Sequence, residues 1–436
     1  MNLSLLLLAS IALLQINNTL AFSSHRSMGK RQKKRTHSEI DPQPDDENDL
    51  TYVEFYSGIG GWTMAFEEAL GRLENQEEPP LKPKRITALD HSDLCMRVFE
   101  HNFRTKRKSF QIQIQGLTKK QVETWKSKFW FMSPPCQPHT RQHSNQEKDL
   151  SDSRSTSFLH LCTLLSEMEE STLPQMICCE NVVGFETSNS FEQWRKALAE
   201  RNYHVGHFHL TPTQVQLPND RPRYFSVAVQ ANSLSSSKDA SLYLSYLQHE
   251  DLSKEEETIK IQSSIPELGV NVASEEAETA DAATISTFLD TADNSDLRIP
   301  EKLLNSDAAW CFDIVSPNNR RSSCFTHSYG GYVRGTGSIL YNCADSEGKK
   351  LIKPEEREFQ KDWMKDFDKT KLRYFSGMEL ARLFGFSERF SFPSSCTPKQ
   401  QRKLIGNSLN VRIASKIVEL GLRCMQLDGK SKRPKS

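Results

Sequence analysis

Cys136 stands in Ser133-Pro134-Pro135-Cys136-Gln137-Pro138-His139-Thr140-Arg141, directly after the apolar run Phe129-Trp130-Phe131-Met132. Proline fixes φ and removes a backbone donor, so three prolines around one thiol leave that loop few shapes. A thiol on a stiff loop at the end of a buried strand suits a positioned nucleophile. The same tripeptide also serves in an ordinary proline turn. Two further groups could join it. Glu180-Asn181-Val182 follows Met176-Ile177-Cys178-Cys179 and places a carboxylate at the carboxyl end of another strand, where open α/β sheets gather their chemistry. A carboxyl in an apolar pocket keeps its proton to higher pH and can act as an acid, whereas one facing water merely ends a strand. Arg221-Pro222-Arg223 enters the run Tyr224-Phe225-Ser226-Val227, and residues two apart in a strand share a face. Two guanidiniums there suit an anionic or carbonyl-bearing group, or simply start a charged strand.

A ligand turn precedes these residues. Thr51-Tyr52-Val53-Glu54-Phe55-Tyr56 has strand composition, Ser57-Gly58-Ile59-Gly60-Gly61 a turn, and residues 62–70 carry apolar side chains at helical spacing up to the stop at Gly71. Glycines let backbone approach a ligand and a helix N-terminus offers free N–H groups, although the spacing is not that of GxGxxG and a plain βα turn fits too. Asp90 ends a second strand, 85–90, and suits ribose hydroxyls as well as the start of the following helix. No GK[ST] sequence grips phosphates here, which argues against ATP and for an adenosine-containing cofactor of another kind.

Such residues need a scaffold. Further strands are predicted at 127–132, 175–179, 204–210 and 223–230, with helices at 92–102, 156–170 and 190–201, an alternation that argues a wound, mostly parallel α/β sheet. The 436 residues suffice for one large or two medium domains. Formal net charge is zero, but Arg104, Lys106, Arg107, Lys108, the pair Arg320-Arg321 and the tail Lys430 to Lys435 are basic, while 231–300 is rich in Ser, Asp and Glu. That stretch reads as a mostly disordered or loosely helical insertion. The partition expected is 1–50 outside the fold, 51–230 catalytic, 231–300 insertion, 301–394 a smaller separate unit rich in Tyr, Phe, Gly and Arg, 395–425 a closing helical segment, and 426–436 a basic tail. Ten cysteines without CxxC or Cys/His metal spacing suggest reduced thiols and no metal. His204, His207 and His209 cluster along one strand, where metal binding is one reading and exposed strand histidines the better one.

The N-terminus admits three readings. Residues 5–14 are a short apolar run, too short for a comfortable span, that fits a secretory leader. With the following Ala-Phe junction and Ser/Arg-rich stretch it also resembles bipartite plastid leaders. A start at Met28 would instead present the basic run Lys30 to Arg35, similar to a nuclear localisation signal. Cytoplasm or nucleus is the expected location, with plastid or secretory routing as the alternative, and no membrane association of the mature chain is expected.

Glycine turn, acid, PPCQ loop, ENV and RxR, in that order and each beside a strand end, closely resemble the cytosine-C5 methyltransferase family over 51–230, and Gln401 to Leu409 resembles its closing motif. The resemblance implies a Rossmann-like methyltransferase domain with a target-recognition domain inserted before the last helix. It implies S-adenosyl-L-methionine held by Phe55, Ser57, Gly58, Ile59, Gly60, Gly61, Asp90, Ile114, Gln115, Ser133, Asn407 and Ser408. It implies Cys136 as nucleophile toward C6 of cytosine, Glu180 at N3 and the exocyclic amine, and Arg221 with Arg223 at the base carbonyl and loop. A base stacked in a helix is out of reach, so it must be flipped or single-stranded. Ser323-Cys324-Phe325-Thr326, Arg373-Tyr374-Phe375 and Leu383-Phe384-Gly385-Phe386 resemble the tRNA-methylating branch, whose substrate is cytosine 38 in the anticodon loop, chiefly of aspartate tRNA. On that basis Gln137, Arg141, Asn181, Cys324, Phe325, Thr326 and Arg373 are expected to touch the nucleic acid, and the protein to act as a monomer. DNA remains the alternative substrate, and a catalytically silent nucleic-acid-binding protein the alternative of another class. Two positions depart from the family: His139 replaces a usual aromatic, and the amide Gln115 replaces a usual acid at the adenine.

Overall fold

A chain that runs strand, helix, strand with both faces of each strand apolar can only bury those faces inside a wound sheet. In the computed structural model the residues described are 50–73, 83–103, 110–135, 155–249, 259–272, 282–291, 295–306, 308–343 and 367–425. All belong to one compact unit, Asp45–Ser436. Cys136, Gln137, His139, Arg141, the leader and the basic tail lie outside the described residues.

The first half alternates as its pattern predicts: β1 (Leu50–Phe55), α1 (Gly61–Leu73), β2 (Pro83–Asp90), α2 (Asp93–Asn102), the two-residue β3 (Phe110–Gln111), α3 (Lys119–Trp125), β4 (Phe129–Met132), α4 (Thr156–Glu167), β5 (Met176–Val182), α5 (Asn189–Glu200), β6 (Tyr203–Leu210) and β7 (Arg223–Gln230). Three of these helices begin at side-chain caps, with Ser92, Thr118 and Ser188 accepting backbone N–H groups at the starts of α2, α3 and α5. In the sheet order β3-β2-β1-β4-β5-β7-β6, the first five strands are parallel and β7 runs antiparallel to both β5 and β6. The chain winds outward from β1 to β3, then crosses back to β4. The switch point therefore lies between β1 and β4, the place where open sheets bind ligands beyond the carboxyl ends of their strands.

Within 231–300 the residues described, 231–249, 259–272, 282–291 and 295–300, are folded rather than disordered, while the most acidic segments, 250–258 and 273–281, lie outside the described residues. After α6 (Lys238–Leu244), β8 (Gln248–His249) and β9 (Ile261–Gln262) both pair with β6 and extend the large sheet. Ile265, Leu268, Val270 and Ile285 are buried in the common core. The segment around Asp290 is tied down as well: its N–H donates to Glu379, its carboxylate accepts from Ser376 at 2.7 Å and pairs with Arg382. A few apolar residues in an acidic background are enough to anchor such a chain.

After α7 (Glu301–Leu304), the strands β10 (Asp313–Val315), β11 (Ser338–Tyr341) and β12 (Leu372–Arg373) form a second, three-stranded sheet, followed by α8 (Gly377–Leu383), α9 (Pro398–Gly406) and α10 (Val411–Cys424). This region is not a separate unit, since its buried side chains run continuously into those of β1, α1 and β5. The helix α10 returns to α1, where Glu419 is held by Arg72 at 2.5 Å and Arg423 at 2.7 Å. Burial works against the Glu419 charge, yet those two guanidiniums hold its carboxyl below the ordinary carboxylate value. Among the described residues no helix is long and apolar enough to cross a membrane.

Candidate active site

The loop after β1 is shaped by backbone. Tyr56, Gly58 and Gly60 all have positive φ, at 53°, 51° and 91°. The Ser57 N–H donates to Leu89 O at 3.0 Å and the Gly58 N–H to Asp90 Oδ2 at 2.9 Å, so the turn is bound to the end of β2. A Cβ on Gly60 would fall 2.2 Å from the Phe103 ring, and one on Gly61 would meet Leu409 and the Ser408 hydroxyl. Only glycine fits where α2 and the closing segment press on this turn. Beneath it, Glu54 accepts from the Trp62 N–H at 3.2 Å and from the Thr63 hydroxyl at 2.5 Å, fastening the start of α1. Burial pushes the Glu54 carboxyl up to about 7, against the Thr63 hydrogen bond and the Arg85 charge.

Several expected cofactor residues gather here. Ser57 Oγ is buried and has no hydrogen-bond partner among the described residues, and beside Gly58 the space is open. A buried hydroxyl without a partner and an open approach to backbone fit a bound polar ligand. Ile59 is buried. Ile114 is buried in the turn Ile114–Gly116 beyond β3, with Gln115 exposed next to it, and β3 pairs with the end of β2 at Asp90. Ser133, beyond β4, accepts from the Trp62 indole N–H at 2.9 Å. Asn407 caps α9, exposed, and Ser408 follows it.

Phe55 and Asp90 both carry structural contacts here. Phe55 is wholly buried between Trp125 and Trp130, so its ring belongs to the core. The half-buried ring at this turn is Tyr56, whose hydroxyl donates to Ser157 Oγ at 2.9 Å. Asp90 braces the turn first: besides Gly58, it accepts from the Ser92 N–H at 2.8 Å. Each of its oxygens keeps a second lone pair for a ligand hydroxyl.

The other half of the site is built from side chains far apart in sequence. Glu180, at the end of β5, is 9 % exposed, and Arg223 Nε lies 3.5 Å from its Oε1. Antiparallel pairing of Val182 with Arg223 fixes that approach. Arg221 is not a strand residue on the face of Arg223, as the dipeptide spacing suggested. It lies in the loop before β7, buried, and reaches the Phe325 carbonyl at 2.8 Å, the Ser408 carbonyl at 2.8 Å and the Gly406 carbonyl at 3.2 Å. It also lies over the Phe384 ring. One guanidinium thus joins the small sheet's leading loop to the closing motif, helped by Asn219, which donates to Ser323 O at 3.0 Å and which sequence reasoning passed over. A Cβ on Gly406 would overlap the Thr326 carbonyl, so these backbones touch.

Cys324 sits where the arginines meet, its Sγ 3.4 Å from Arg221 and 3.8 Å from Arg223. Burial opposes the thiolate, but the two guanidiniums outweigh it and draw the thiol below its ordinary value. Thr326 is half-buried, its N–H donating to Thr336 O at 3.0 Å. Asn181 is buried, with its amide nitrogen lacking a partner among the described residues. Phe325 and Arg373 turn inward instead of toward a ligand. Phe325 is fully buried against Tyr329 and Phe375. Arg373 makes a two-pronged ion pair with the buried Glu379, at 2.8 and 2.7 Å, and binds Tyr374 O. Its geometry is that of a structural clasp between β12 and α8.

The histidines of β6 also depart from expectation. His207 is buried with Nδ1 2.7 Å from the Tyr224 hydroxyl, and His209 lies 2.9 Å from Glu186. His204 and His209 are both partly open, and burial, with His249 beside it, lowers the pKa of His204.

A wound parallel sheet with an antiparallel far edge, a glycine turn after β1 and a carboxylate with an arginine beyond β5 define a methyltransferase-type α/β fold. The profile of C-5 cytosine-specific DNA methylases matches residues 50–420, and the chain belongs to that family; it is a cytosine-C5 methyltransferase. It is 30% identical over 402 residues to a human tRNA (cytosine(38)-C(5))-methyltransferase, covering 85% of this chain and 98% of the relative. It is 31% identical over 388 residues to a Dictyostelium discoideum DNA (cytosine-5)-methyltransferase, covering 85% and 94%. The crystal structure of the S. pombe Dnmt2 methyltransferase superposes with a TM-score of 0.64 at 27% identity, covering 86% of this chain and 98% of the other.

Proposed function

We propose that this chain is an S-adenosyl-L-methionine-dependent tRNA (cytosine-C5) methyltransferase acting on nucleotide 38 of the anticodon loop, with aspartate tRNA as its first substrate. The observation that carries the reading is the meeting of Glu180, Arg223, Arg221 and Cys324 from three distant segments at one place beyond β5. A tRNA (cytosine(38)-C(5))-methyltransferase nearly matched end to end supports the choice of polymer.

When bound, S-adenosyl-L-methionine supplies an electrophilic methyl group. Ser57 Oγ, the backbone of Gly58 to Gly61, the spare lone pairs of Asp90, Gln115, Ser133 and the Asn407-Ser408 segment would hold it. Cys136 follows Pro135 directly in the chain. Its thiolate adds to C6 of cytosine, a S–C6 bond forms, and the C5–C6 electron pair makes C5 nucleophilic. Glu180 hydrogen-bonds N3 and the exocyclic amine and stabilises the charge that develops there. Arg223 steadies Glu180 and the base carbonyl, and Arg221 holds together the loops around them. After C5 is methylated, its proton leaves, the C5–C6 double bond re-forms and the thiolate departs.

Labelled cofactor is incubated separately with unmodified tRNA and with duplex DNA. Label in tRNA, lost in Cys136→Ala, is expected. Label in DNA alone overturns the tRNA reading in favour of the activity named for the Dictyostelium relative; label in neither polymer favours a silent binding protein. Label persisting in Cys136→Ala removes the nucleophile. We place the protein in the cytoplasm or nucleus, which N-terminal sequencing of native material tests: a start at Met28 supports it, and a cleaved leader points to plastid or secretory routing.

A further inference from the structure

The site described so far binds one base and leaves unexplained an aromatic held out on the loop that leads away from it. Among the described residues the exposed large hydrophobics are Leu242, Val272 and Tyr332, and Tyr332 is the most open at 74 %. Its backbone, by contrast, is fixed. The Tyr332 N–H donates to Ser328 O at 3.2 Å, its carbonyl accepts from Thr336 Oγ1 at 2.8 Å, and the loop is closed by the Thr326 N–H on Thr336 O. Positive φ at Gly330 and Gly335 makes the two bends this closure needs. Beneath, the buried Tyr329 donates to Ser338 O at 2.7 Å and accepts from the Phe375 N–H at 3.0 Å. An exposed side chain on a floppy loop is unremarkable, but here the peptide groups on both sides of an exposed ring are bonded into the fold. Such a ring loses little freedom when it meets a partner.

Its position selects the partner. The loop springs from Cys324 to Thr326, which touch Arg221, Arg223 and Gly406. Tyr332 is the sixth residue after Thr326, a reach of at most about 20 Å even if fully extended. That is within a few nucleotides of a base at Glu180. Arg334, exposed two residues further on, and His327, exposed at the loop's start, place polar and cationic groups on either side. An aromatic face between groups suited to phosphate or sugar contacts is the arrangement that receives unstacked bases in RNA loops.

We propose that Tyr332 is a substrate-binding platform on which an unpaired nucleobase flanking the target cytosine stacks, with Arg334 holding the adjoining phosphate. This rests on the reading of the site as acting on an RNA loop. Stacking on an aromatic is sequence-tolerant, so the platform fixes how the loop lies across the site without itself reading the flanking base. It also supplies partner contacts that a stacked duplex cannot offer, and so favours a loop over a helix.

The test uses the full chain with the substitutions Tyr332→Ala, Tyr332→Leu, Tyr332→Phe and Tyr332→Trp on unmodified tRNA. Loss of a base–aromatic stack weakens binding by about tenfold to a hundredfold. Ala and Leu are therefore expected to raise KM for tRNA by that factor with kcat within about twofold, while Phe and Trp stay near the wild type. Thermal unfolding of all four is expected to match the wild type, since the ring packs on little. Leu behaving like the wild type, Phe failing like Leu, or a fall in kcat at unchanged KM would each overturn the platform. A second arm needs no turnover: an anticodon stem-loop RNA carrying 2-aminopurine beside the target cytosine is titrated with wild type and Tyr332→Leu. Quenching by the wild type that is lost in Leu supports stacking, and equal or absent quenching overturns it. If the wild type quenches yet methylates no tRNA, the assignment of the reaction fails while the platform stands.

Discussion

The two halves of the site are made in opposite ways. Beyond β1 the chain presents backbone: a turn with three positive φ values, braced by the Leu89 carbonyl and the Asp90 carboxylate and closed on by Phe103 and Leu409. Beyond β5 it presents charge: Glu180, Arg221, Arg223 and Cys324, drawn from segments more than a hundred residues apart in the widest case. A backbone-built site resists the removal of side chains and fails when one is added. A charge-built site fails when one partner goes, because the other is left buried and uncompensated. The first half is local in sequence; the second exists only after the fold has formed.

Arg221 is the sharpest way to break this contrast. Replacing it with Ala leaves the carbonyls of Phe325, Gly406 and Ser408 without their Arg221 donor and removes a side chain that ties the two loops together. We expect a loss of roughly 3 to 5 kcal/mol in urea unfolding, the range for breaking a buried charged network. Arg221→Lys should recover little, since a single ammonium cannot span the same fork. A variant as stable as the wild type would mean the two loops are held by packing alone.

Glu180→Gln tests the chemistry at the same end with less damage to the fold. If Glu180 stabilises charge at N3, kcat should fall by about 10² to 10³, the usual effect of removing one preorganised hydrogen-bonding group. Cofactor affinity, measured by calorimetry without nucleic acid, should stay within about twofold because the turn after β1 is separately braced. A parallel loss of cofactor binding would show that the two halves are one unit.

The same contrast explains what could be read from the sequence. The glycine turn, Asp90 and the order of strands were legible because each is a contiguous pattern whose physics is local. Glu180 and Arg223 were legible as strand ends. Arg221 was found but misplaced: its spacing from Arg223 suggested one strand face, whereas β7 begins only at Arg223 and the proline between them leaves Arg221 in a buried loop. Arg373 was misread because its partner Glu379 lies on the next helix, and nothing in the tripeptide Arg373-Tyr374-Phe375 announces a buried clasp. The burial of the Phe55 ring was not legible because the chain leaves the strand only at Tyr56, where φ is 53° and simple alternation ends. In the acidic stretch, average composition hid the single apolar residues, such as Val270 and Ile285, that pin it to the core.

At the backbone-built end the informative change is an addition. Gly60→Ala puts a methyl within 2.2 Å of the Phe103 ring at a φ of 91°, so both sterics and backbone oppose it. The expected cost is about 1 to 3 kcal/mol in stability, with weaker cofactor binding. Adding Phe103→Ala should relieve the overlap and leave only the backbone term, so the double variant should be less destabilised than the two single costs added together. Strict additivity would mean that the ring swings aside freely and that close approach is not why glycine stands there.

The smallest effect is a slope. Glu54 lies under the same turn, and burial raises its carboxyl from an ordinary 4.5 to about 7. The folded state then holds a proton that the unfolded chain has released between those values, so this group's contribution to stability is present below about pH 4.5 and is lost as pH rises to about 7. His204, whose pKa is lowered, works in the opposite direction, being burdened by protonation as pH falls. The raw pH profile mixes the two, but the difference between wild type and Glu54→Gln isolates the carboxyl. In urea unfolding at pH 5, 6 and 7.5 the variant should gain on the wild type at each step upward, whatever its stability at pH 5. Parallel profiles would mean that Glu54 ionises normally, and that the Thr63 hydroxyl, the Trp62 amide and the Arg85 charge are enough to keep a carboxylate beneath a backbone-built turn.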